Sequence, residues 1–376
     1  MLTEILDEYR PYNDGEVPAA IERIVENVLF PQVIKHIFPN KNINEFIAEF
    51  KQIKTVDEFQ GCVMFPAIGS IISQTIKNFS YEGLKNISNL KSGMLISNHR
   101  DIVLDSAMLQ YIFHKNGLTT SEITFGSNLM NPQFVVDIGK INKMFKIVRG
   151  GTAREIFVNS QRVSEYMRYA ITEKKQSTWI AQRNGRTKDG SDKTEIGVLK
   201  MFAMSSKKDF VDNLDELNIT PIAVSYEYDP CDFMKTREVY ISRRKQYVKQ
   251  PGEDLLSILN GIKQYKGDVH YTVCEPITRE ELENCAKFHN SERFKILAVI
   301  IDNRIYNGYR LFKTNYIAYD IIENGRQFSE HYTPEEREKF INYMETGLSQ
   351  LEGDVKELRQ VFLEIYANSV KNFLDR

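Results

Sequence analysis

The chain has 376 residues, 42% of them hydrophobic and 27% charged, which is enough apolar material for a folded core and argues against a disordered chain. Its 49 lysines and arginines and 51 aspartates and glutamates leave a net charge of −2. This balance excludes a global attraction to nucleic acid, so any phosphate binding requires a local cluster of bases. The four cysteines are scattered without a CxxC pair, which argues against a disulfide framework or a zinc site and indicates a reducing compartment.

An N-terminal helical region is predicted over residues 1–88, because apolar residues recur at helical spacing over 17–38 and 53–79. The first residues lack the basic and apolar regions of a signal peptide. The longest apolar run, around 296–301, is far shorter than the roughly 20 residues that a membrane-spanning helix needs. We therefore expect a protein that does not cross a membrane.

An α/β core is predicted over residues 89–276, where short apolar runs alternate with amphipathic stretches. Predicted helices lie at 102–113 and 152–171, and the second opens with a capping-box signature formed by Thr152 and Glu155. The predicted strands are 94–97, 123–126, 145–148, 178–181, 219–226, 238–242 and 269–273.

A helical pattern returns over residues 277–376, with clear segments at 294–305, 334–351 and 355–373. We expect this C-terminal helical region to pack on the core. The predicted fold class is thus α/β, with a mixed sheet flanked by helices and with helical regions at both ends of the chain.

The most unusual stretch runs from Ser97 to Asp105, where polar residues separate a predicted strand from a helix. Reactive groups collect at such strand ends in α/β proteins. His99 can take a proton from a hydroxyl near neutral pH, and a carboxylate beside it would orient the ring and stabilise its charged form. Both Asp101 and Asp105 are in reach by sequence. The alternative is local: Asn98 or Asp101 only caps the helix.

Two further strand ends carry arginine beside glycine. Arg149 precedes two glycines and the capped helix, and free backbone N–H groups at a helix start attract anions. The alternative for this stretch is a glycine-rich turn with a solvated arginine. The second strand end is the loop after the predicted strand 178–181, which suits a phosphate because it carries Arg183, Gly185, Arg186 and Lys188. Its alternative is a basic surface loop.

In this order, and together with an apolar strand that contains a proline, these stretches resemble the glycerolipid acyltransferase family, which includes glycerol-3-phosphate and lysophosphatidic acid acyltransferases. The family pattern is Asn-His, four residues and Asp, then a hydrophobic block ending in Arg, a Glu-Gly-Thr-Arg-type loop, and the strand with Pro. The resemblance covers about residues 80–230, and the helical flanks look closest to a larger bacterial subgroup. The matching positions are Asn98-His99 with Asp105, Phe145 to Arg149, Asn184-Gly185-Arg186, and Pro221.

The resemblance implies acyl transfer in phospholipid synthesis without an acyl-enzyme. His99 would deprotonate the acceptor hydroxyl, Asp105 would orient His99, and the hydroxyl would attack the thioester of acyl-CoA or acyl-carrier protein. The acceptor would be glycerol-3-phosphate or 1-acylglycerol-3-phosphate, with a lyso-aminolipid as an alternative, and we expect no cofactor and no metal. The expected phosphate-binding residues are Arg149, Arg183, Gly185, Arg186 and Lys188.

Two positions depart from the family pattern. Five residues, not four, separate His99 from Asp105, and one residue turns a helix by about 100°. Either a non-helical turn absorbs the shift, or Asp101 is the partner of His99. We favour Asp105, because Asp101 lies where a helix cap is wanted. Asn184 stands where the family usually has Glu, and both departures keep a non-catalytic lipid-binding protein on the same fold as the alternative.

A long acyl chain is poorly soluble, because moving each CH₂ out of water is favourable by about 0.8 kcal/mol. A lipid product therefore predicts that the protein has a membrane partner. We expect a cytoplasmic protein attached peripherally to the inner face of the cytoplasmic membrane. The basic loops at 183–193 and 243–249 are the candidates for contact with anionic headgroups, and the alternative is that both are solvated surface.

Overall fold

A seven-stranded mixed sheet forms the centre of the described part of the protein. The computed structural model describes residues 6–88, 90–130, 132–148, 150–289 and 291–376. The strands are β1 Ile76–Glu82, β2 Met94–Ser97, β3 Glu122–Gly126, β4 Met144–Ile147, β5 Thr178–Ala181, β6 Thr220–Tyr226 and β7 Gly267–Val273.

The strand order is β1-β7-β6-β2-β5-β3-β4. Neighbouring strands are parallel except β6 and β7, which are antiparallel. The carboxyl ends of β2, β3, β4, β5 and β6 therefore meet at one edge of the sheet, which we call the carboxyl edge. This arrangement confirms the predicted α/β class with a mixed sheet, and it brings the predicted strand-end motifs to the same edge.

Helices flank the sheet and continue at both ends of the described chain. The helix Ala153–Thr172 opens with the predicted capping box, in which Thr152 Oγ1 accepts a hydrogen bond from the Glu155 N–H. The helices are α1 Val17–Glu26, α2 Phe30–Ile37, α3 Ile43–Phe50, α4 Val56–Phe59, α5 Phe65–Thr75, α6 Lys85–Ser88, α7 Leu104–Lys115, α8 Gln133–Ile141, α9 Ala153–Thr172, α10 Ile196–Ala203, α11 Phe210–Asp215, α12 Asp232–Ser242, α13 Glu253–Lys263, α14 Arg279–Ala286, α15 Ser291–Asn307, α16 Lys313–Ile322, α17 Pro334–Leu348 and α18 Val355–Leu374.

Apolar side chains cover both faces of the sheet. Along β2, Met94 and Ile96 join the core cluster that contains α9, α10 and α15, whereas Leu95 joins the cluster that contains α5 and α7. This alternation follows the two-residue period of a strand. The strands β2, β5 and β6 are buried along their whole length, which explains why each reads as a continuous apolar run. In the part of the chain that the structure describes, no helix is long and apolar enough to span a bilayer.

Two predicted elements are wrong. The predicted helix 53–79 ends at Thr75, and the chain continues as β1, which pairs with β7. The mixed burial of this edge strand hides the strand pattern in the sequence. The predicted strand 238–242 is the last part of α12, which packs against α18. Its Val-Tyr-Ile run favours a strand locally, but packing on a helix overrides that preference.

Candidate active site

The polar loop after β2 brings His99 and Asp105 together. β2 ends at Ser97, and α7 begins at Leu104, so the loop between them is not helical. His99 Nδ1 and Asp105 Oδ2 lie 2.9 Å apart, and both side chains are buried. The additional residue between them is absorbed in the loop, and Asp105, in the first turn of α7, reaches back to the imidazole.

Both carboxylate oxygens of Asp105 accept hydrogen bonds. Oδ2 also accepts the backbone N–H groups of Arg100 at 2.5 Å and Asp101 at 2.9 Å, and Oδ1 accepts the Tyr226 hydroxyl at 2.7 Å. Burial alone would raise the pKa of Asp105, but its hydrogen bonds, above all the one with His99, outweigh burial and lower the pKa. Asp105 is therefore a fixed anion beside His99 Nδ1, which orients the ring and leaves Nε2 as the nitrogen for a substrate.

Asp101 has a different task in the same loop. Its Oδ1 accepts the backbone N–H groups of Val103 at 2.9 Å and Leu104 at 2.7 Å, so it caps α7. Its Oδ2 is buried without a hydrogen-bond partner among the described residues and faces Gly261 of α13. Burial and the charge of Asp105 raise the pKa of Asp101. The geometry thus pairs His99 with Asp105 and gives Asp101 the cap.

Neighbouring groups fix the position of His99. The Asn98 side chain joins β2 to β6, since its amide donates to the Val224 carbonyl at 2.9 Å and accepts the Val224 N–H at 2.8 Å. The Trp179 ring on β5 meets the His99 ring edge-on at 5.7 Å between centroids and is itself buried. The imidazole therefore has an apolar wall on one side and an anion on the other.

Of the predicted phosphate-binding residues that the structure describes, Arg186 lies on the loop that returns to His99. Gly185 has a φ of +85°, a conformation that favours glycine, and turns the loop after β5. The next residues return to the site, because the Thr187 N–H donates to the His99 carbonyl at 2.8 Å. Arg186 is only 8% exposed, and within the described chain its Nη1 is buried without a hydrogen-bond partner. Its charge opposes the rise in the pKa of Asp101, the residue that caps α7 in the His99 loop.

The other predicted phosphate-binding bases that the structure describes form more contacts with protein groups than Arg186 does. Lys188 forms an ion pair with Glu238, and burial, followed by the charge of Arg186, lowers the pKa of Lys188 to about 8. Arg183 is half-buried: its Nη1 donates a long 3.4 Å hydrogen bond to the Ser191 carbonyl, and its buried Nε has no hydrogen-bond partner among the described residues. Arg149 lies outside the described residues.

A buried ion-pair network holds the loop that contains His99. The sequence patterns do not predict this network. Arg100 contacts Asp192 at 2.5 Å and Asp229 at 2.9 Å, and all three side chains are buried. Asp192 also accepts the hydroxyls of Thr187 at 2.7 Å and Tyr309 at 2.6 Å. These contacts connect the His99 loop to the Arg186 loop, so the two predicted motifs form one rigid unit.

The comparisons with known proteins add a structural likeness. No protein-family model matches the chain, and no curated protein sequence matches it. Among solved structures, the chain is similar to the 1-acyl-sn-glycerophosphate (LPA) acyltransferase PlsC from Thermotoga maritima, with 11% sequence identity and a TM-score of 0.39. The match covers 76% of this chain and 92% of that chain. At this TM-score the likeness by itself carries no conclusion about activity or substrate.

Proposed function

We propose that the protein is an O-acyltransferase. It would move a fatty acyl group from acyl-CoA or acyl-carrier protein to a hydroxyl of glycerol-3-phosphate or 1-acylglycerol-3-phosphate. The observation that carries the proposal is the buried His99–Asp105 pair at the carboxyl edge. Arg186, whose Nη1 has no hydrogen-bond partner among the described residues, lies on the loop that Thr187 joins to the His99 carbonyl. A base and an anion site at one strand edge suit an acceptor that carries both a hydroxyl and a phosphate.

In the proposed reaction, His99 is the general base. Asp105 accepts a hydrogen bond from the Nδ1–H of His99, so Nε2 takes the proton of the acceptor hydroxyl. The hydroxyl oxygen attacks the thioester carbonyl carbon, the new C–O bond forms, and the C–S bond breaks. The proton held on His99 passes to the departing sulfur, which leaves as a free thiol. No covalent acyl-enzyme is required.

Arg186 would bind the acceptor phosphate. A guanidinium group with a buried, unpartnered N–H can donate a charge-assisted hydrogen bond without first losing a protein contact. A fixed phosphate aligns the hydroxyl with His99 Nε2, and orientation of this kind can lower a barrier by about 7–11 kcal/mol in ideal cases. Gly185 supports Arg186 through its turn, and Arg149, Arg183 and Lys188 remain predicted members of the phosphate site.

A lyso-aminolipid is the second acceptor class. Two observations favour it: Glu238 already neutralises Lys188, and Asn184 is exposed at the position where the family pattern has Glu. The Asn184 N–H donates to Glu195 at 3.1 Å, so a carboxylate stands in this loop after all, but it comes from a different position. A loop with fewer free cations fits an acceptor with less phosphate charge.

The test is release of free thiol from palmitoyl-CoA, measured with glycerol-3-phosphate, 1-acylglycerol-3-phosphate and a lyso-aminolipid as separate acceptors. Thiol release that depends on one acceptor supports the proposal and identifies the acceptor. The panel is repeated with palmitoyl-acyl-carrier protein as the donor. If no acceptor supports thiol release from either donor, the proposal is wrong and a non-catalytic lipid-binding role replaces it.

The proposed reaction also predicts the location of the protein. Its product is a lipid, so we expect the protein to act at the cytoplasmic membrane surface, attached peripherally to the inner face.

A further inference from the structure

One face of α13 exposes a group of large apolar side chains. Leu255, Leu256 and Leu259 lie on one side of this helix, because residues three and four apart are neighbours on a helix surface. Val248 extends the group into the preceding loop. The exposed fractions of these four side chains range from 41% to 67%. Single exposed apolar residues need no explanation, but a contiguous set on one helix face indicates a surface that something covers.

The opposite face of α13 lies on the candidate active site. Ser257 and Gly261 are on this buried face. Gly261 stands so close to Asp101 that a Cβ at this position would lie 2.1 Å from Oδ2. At the start of the helix, Asp254 accepts a 3.1 Å hydrogen bond from Asn128, which follows β3 at the carboxyl edge. The leucine face therefore points outward directly above the loop that holds His99.

The segment that contains this face carries an excess of basic residues, most of which form ion pairs. Residues 243–263 contain five bases and two acids, a net charge of +3, in a chain whose net charge is −2. Both acids are engaged, since Glu253 accepts the Tyr247 hydroxyl and Asp254 pairs with Lys249. Arg243 and Arg244 pair with glutamates of α18. Lys245 and Lys263 are exposed and form no ion pair with any residue that the structure describes.

A second exposed apolar group lies at the neighbouring strand end. Ile156, Phe157 and Val158 are exposed at the start of α9, next to the exposed Arg154. This helix follows β4, which pairs with β3 in the sheet. Because β3 leads to the Asn128 contact with α13, the two apolar groups flank adjacent strand ends on the carboxyl edge.

We propose that α13 with its preceding loop, together with the start of α9, forms a docking surface for an anionic lipid bilayer. An outward helix face of leucines between lysines is the arrangement of helices that lie in a membrane interface. The leucines would enter the acyl region, and Lys245 and Lys263 would contact anionic headgroups. This proposal rests on the proposed function, because a docked bilayer would bring the His99 site to the surface where a lipid acceptor and product reside.

The experiment is co-sedimentation of the full chain with vesicles of phosphatidylcholine alone or of equimolar phosphatidylcholine and phosphatidylglycerol. The test variant replaces Leu255, Leu256 and Leu259 by serine. The matched control replaces Val28, Phe288 and Val299, which are exposed elsewhere, by serine. We expect the test variant to lose about tenfold or more in vesicle affinity and the control to bind like the unmodified protein. A Lys245→Gln, Lys263→Gln variant should lose the preference for phosphatidylglycerol.

Wild-type binding by the test variant overturns the proposal, as does the absence of binding by the unmodified protein to either vesicle. Binding to acyl-carrier protein that the leucine substitutions abolish, without vesicle binding, would replace the bilayer by an acidic protein partner. Sedimentation uses no substrate, so it succeeds or fails independently of acyl transfer. Thiol release from a short-chain acyl-CoA with glycerol-3-phosphate, measured without vesicles, shows separately whether the serine variant keeps an intact site.

Discussion

The Tyr226 hydroxyl donates a 2.7 Å hydrogen bond to Oδ1 of Asp105, the oxygen that His99 does not contact. Tyr226 is the last residue of β6, and β6 is the neighbour of the strand that leads to His99. Tyr226→Phe should lower kcat about tenfold with little change in KM, because the acceptor site is untouched while Asp105 loses a fixed donor. The control is Tyr228→Phe on the same segment, and an equal loss of kcat in both variants would contradict the positioning role.

Replacement of Arg186 should weaken acceptor binding. Arg186→Gln removes the buried cation, and we expect KM for a phosphate-bearing acceptor to rise about 10- to 100-fold, as loss of a charge-assisted hydrogen bond predicts. The fold should tolerate the change, because Nη1 has no hydrogen-bond partner among the residues described. Arg183→Gln is the control and should raise KM less. A fall in kcat at constant KM would show that Arg186 does not bind the acceptor.

The contact between Gly261 and Asp101 predicts a strict size limit. A Cβ at position 261 would meet Asp101 Oδ2 at 2.1 Å, so Gly261→Ala must displace α13 or the capping loop. We expect a loss of about 1–3 kcal/mol in the free energy of unfolding. Gly197→Ala in α10, where a Cβ meets no atom within 4 Å, should be neutral or slightly stabilising. Chemical denaturation of the two variants checks this, and equal stabilities would disprove the close packing.

Asp232 should make stability depend on pH. Burial raises its pKa to about 6, against 3.8 in an unfolded chain, although hydrogen bonds from Tyr366 and Tyr343 oppose the rise. Between about pH 4 and pH 6 the folded state holds a proton that the unfolded state has released, so stability falls as the pH rises through this window.

The measurement is the free energy of unfolding of the unmodified protein minus that of Asp232→Asn, from pH 4 to pH 8. We expect the difference to decline by about 2–3 kcal/mol up to pH 6 and to stay constant above it. A difference that is flat or that rises with pH would contradict the raised pKa.

The fold was predictable where burial leaves a simple pattern. β2 and β5 occupy the predicted residues 94–97 and 178–181, because strands buried on both faces read as apolar runs. The sequence pattern predicts no strand at β1 and predicts one over 238–242, because an edge strand and a helix with β-branched residues give misleading local patterns. The division into regions 1–88, 89–276 and 277–376 stays a prediction.

Within the candidate site, the sequence predicts only those contacts whose residues are close together along the chain. His99 and Asp105 are close in sequence, so their pairing could be anticipated from the loop and the helix cap. Tyr226 is 121 residues from Asp105, and Asp192 is 92 residues from Arg100. Such contacts depend on strand order, which local patterns do not contain. The one available signal is the position of Tyr226 at the end of the predicted strand 219–226.

In the proposed reaction, His99 is the base for acyl transfer. The most direct measurement is acceptor-dependent thiol release from palmitoyl-CoA by the unmodified protein, His99→Ala and His289→Ala, where His289 is an exposed histidine far along the chain. Loss of a general base typically lowers a rate by about 10²–10⁴-fold. We predict a loss of this size for His99→Ala, with unchanged activity for His289→Ala. Equal rates for His99→Ala and the unmodified protein would contradict the claim.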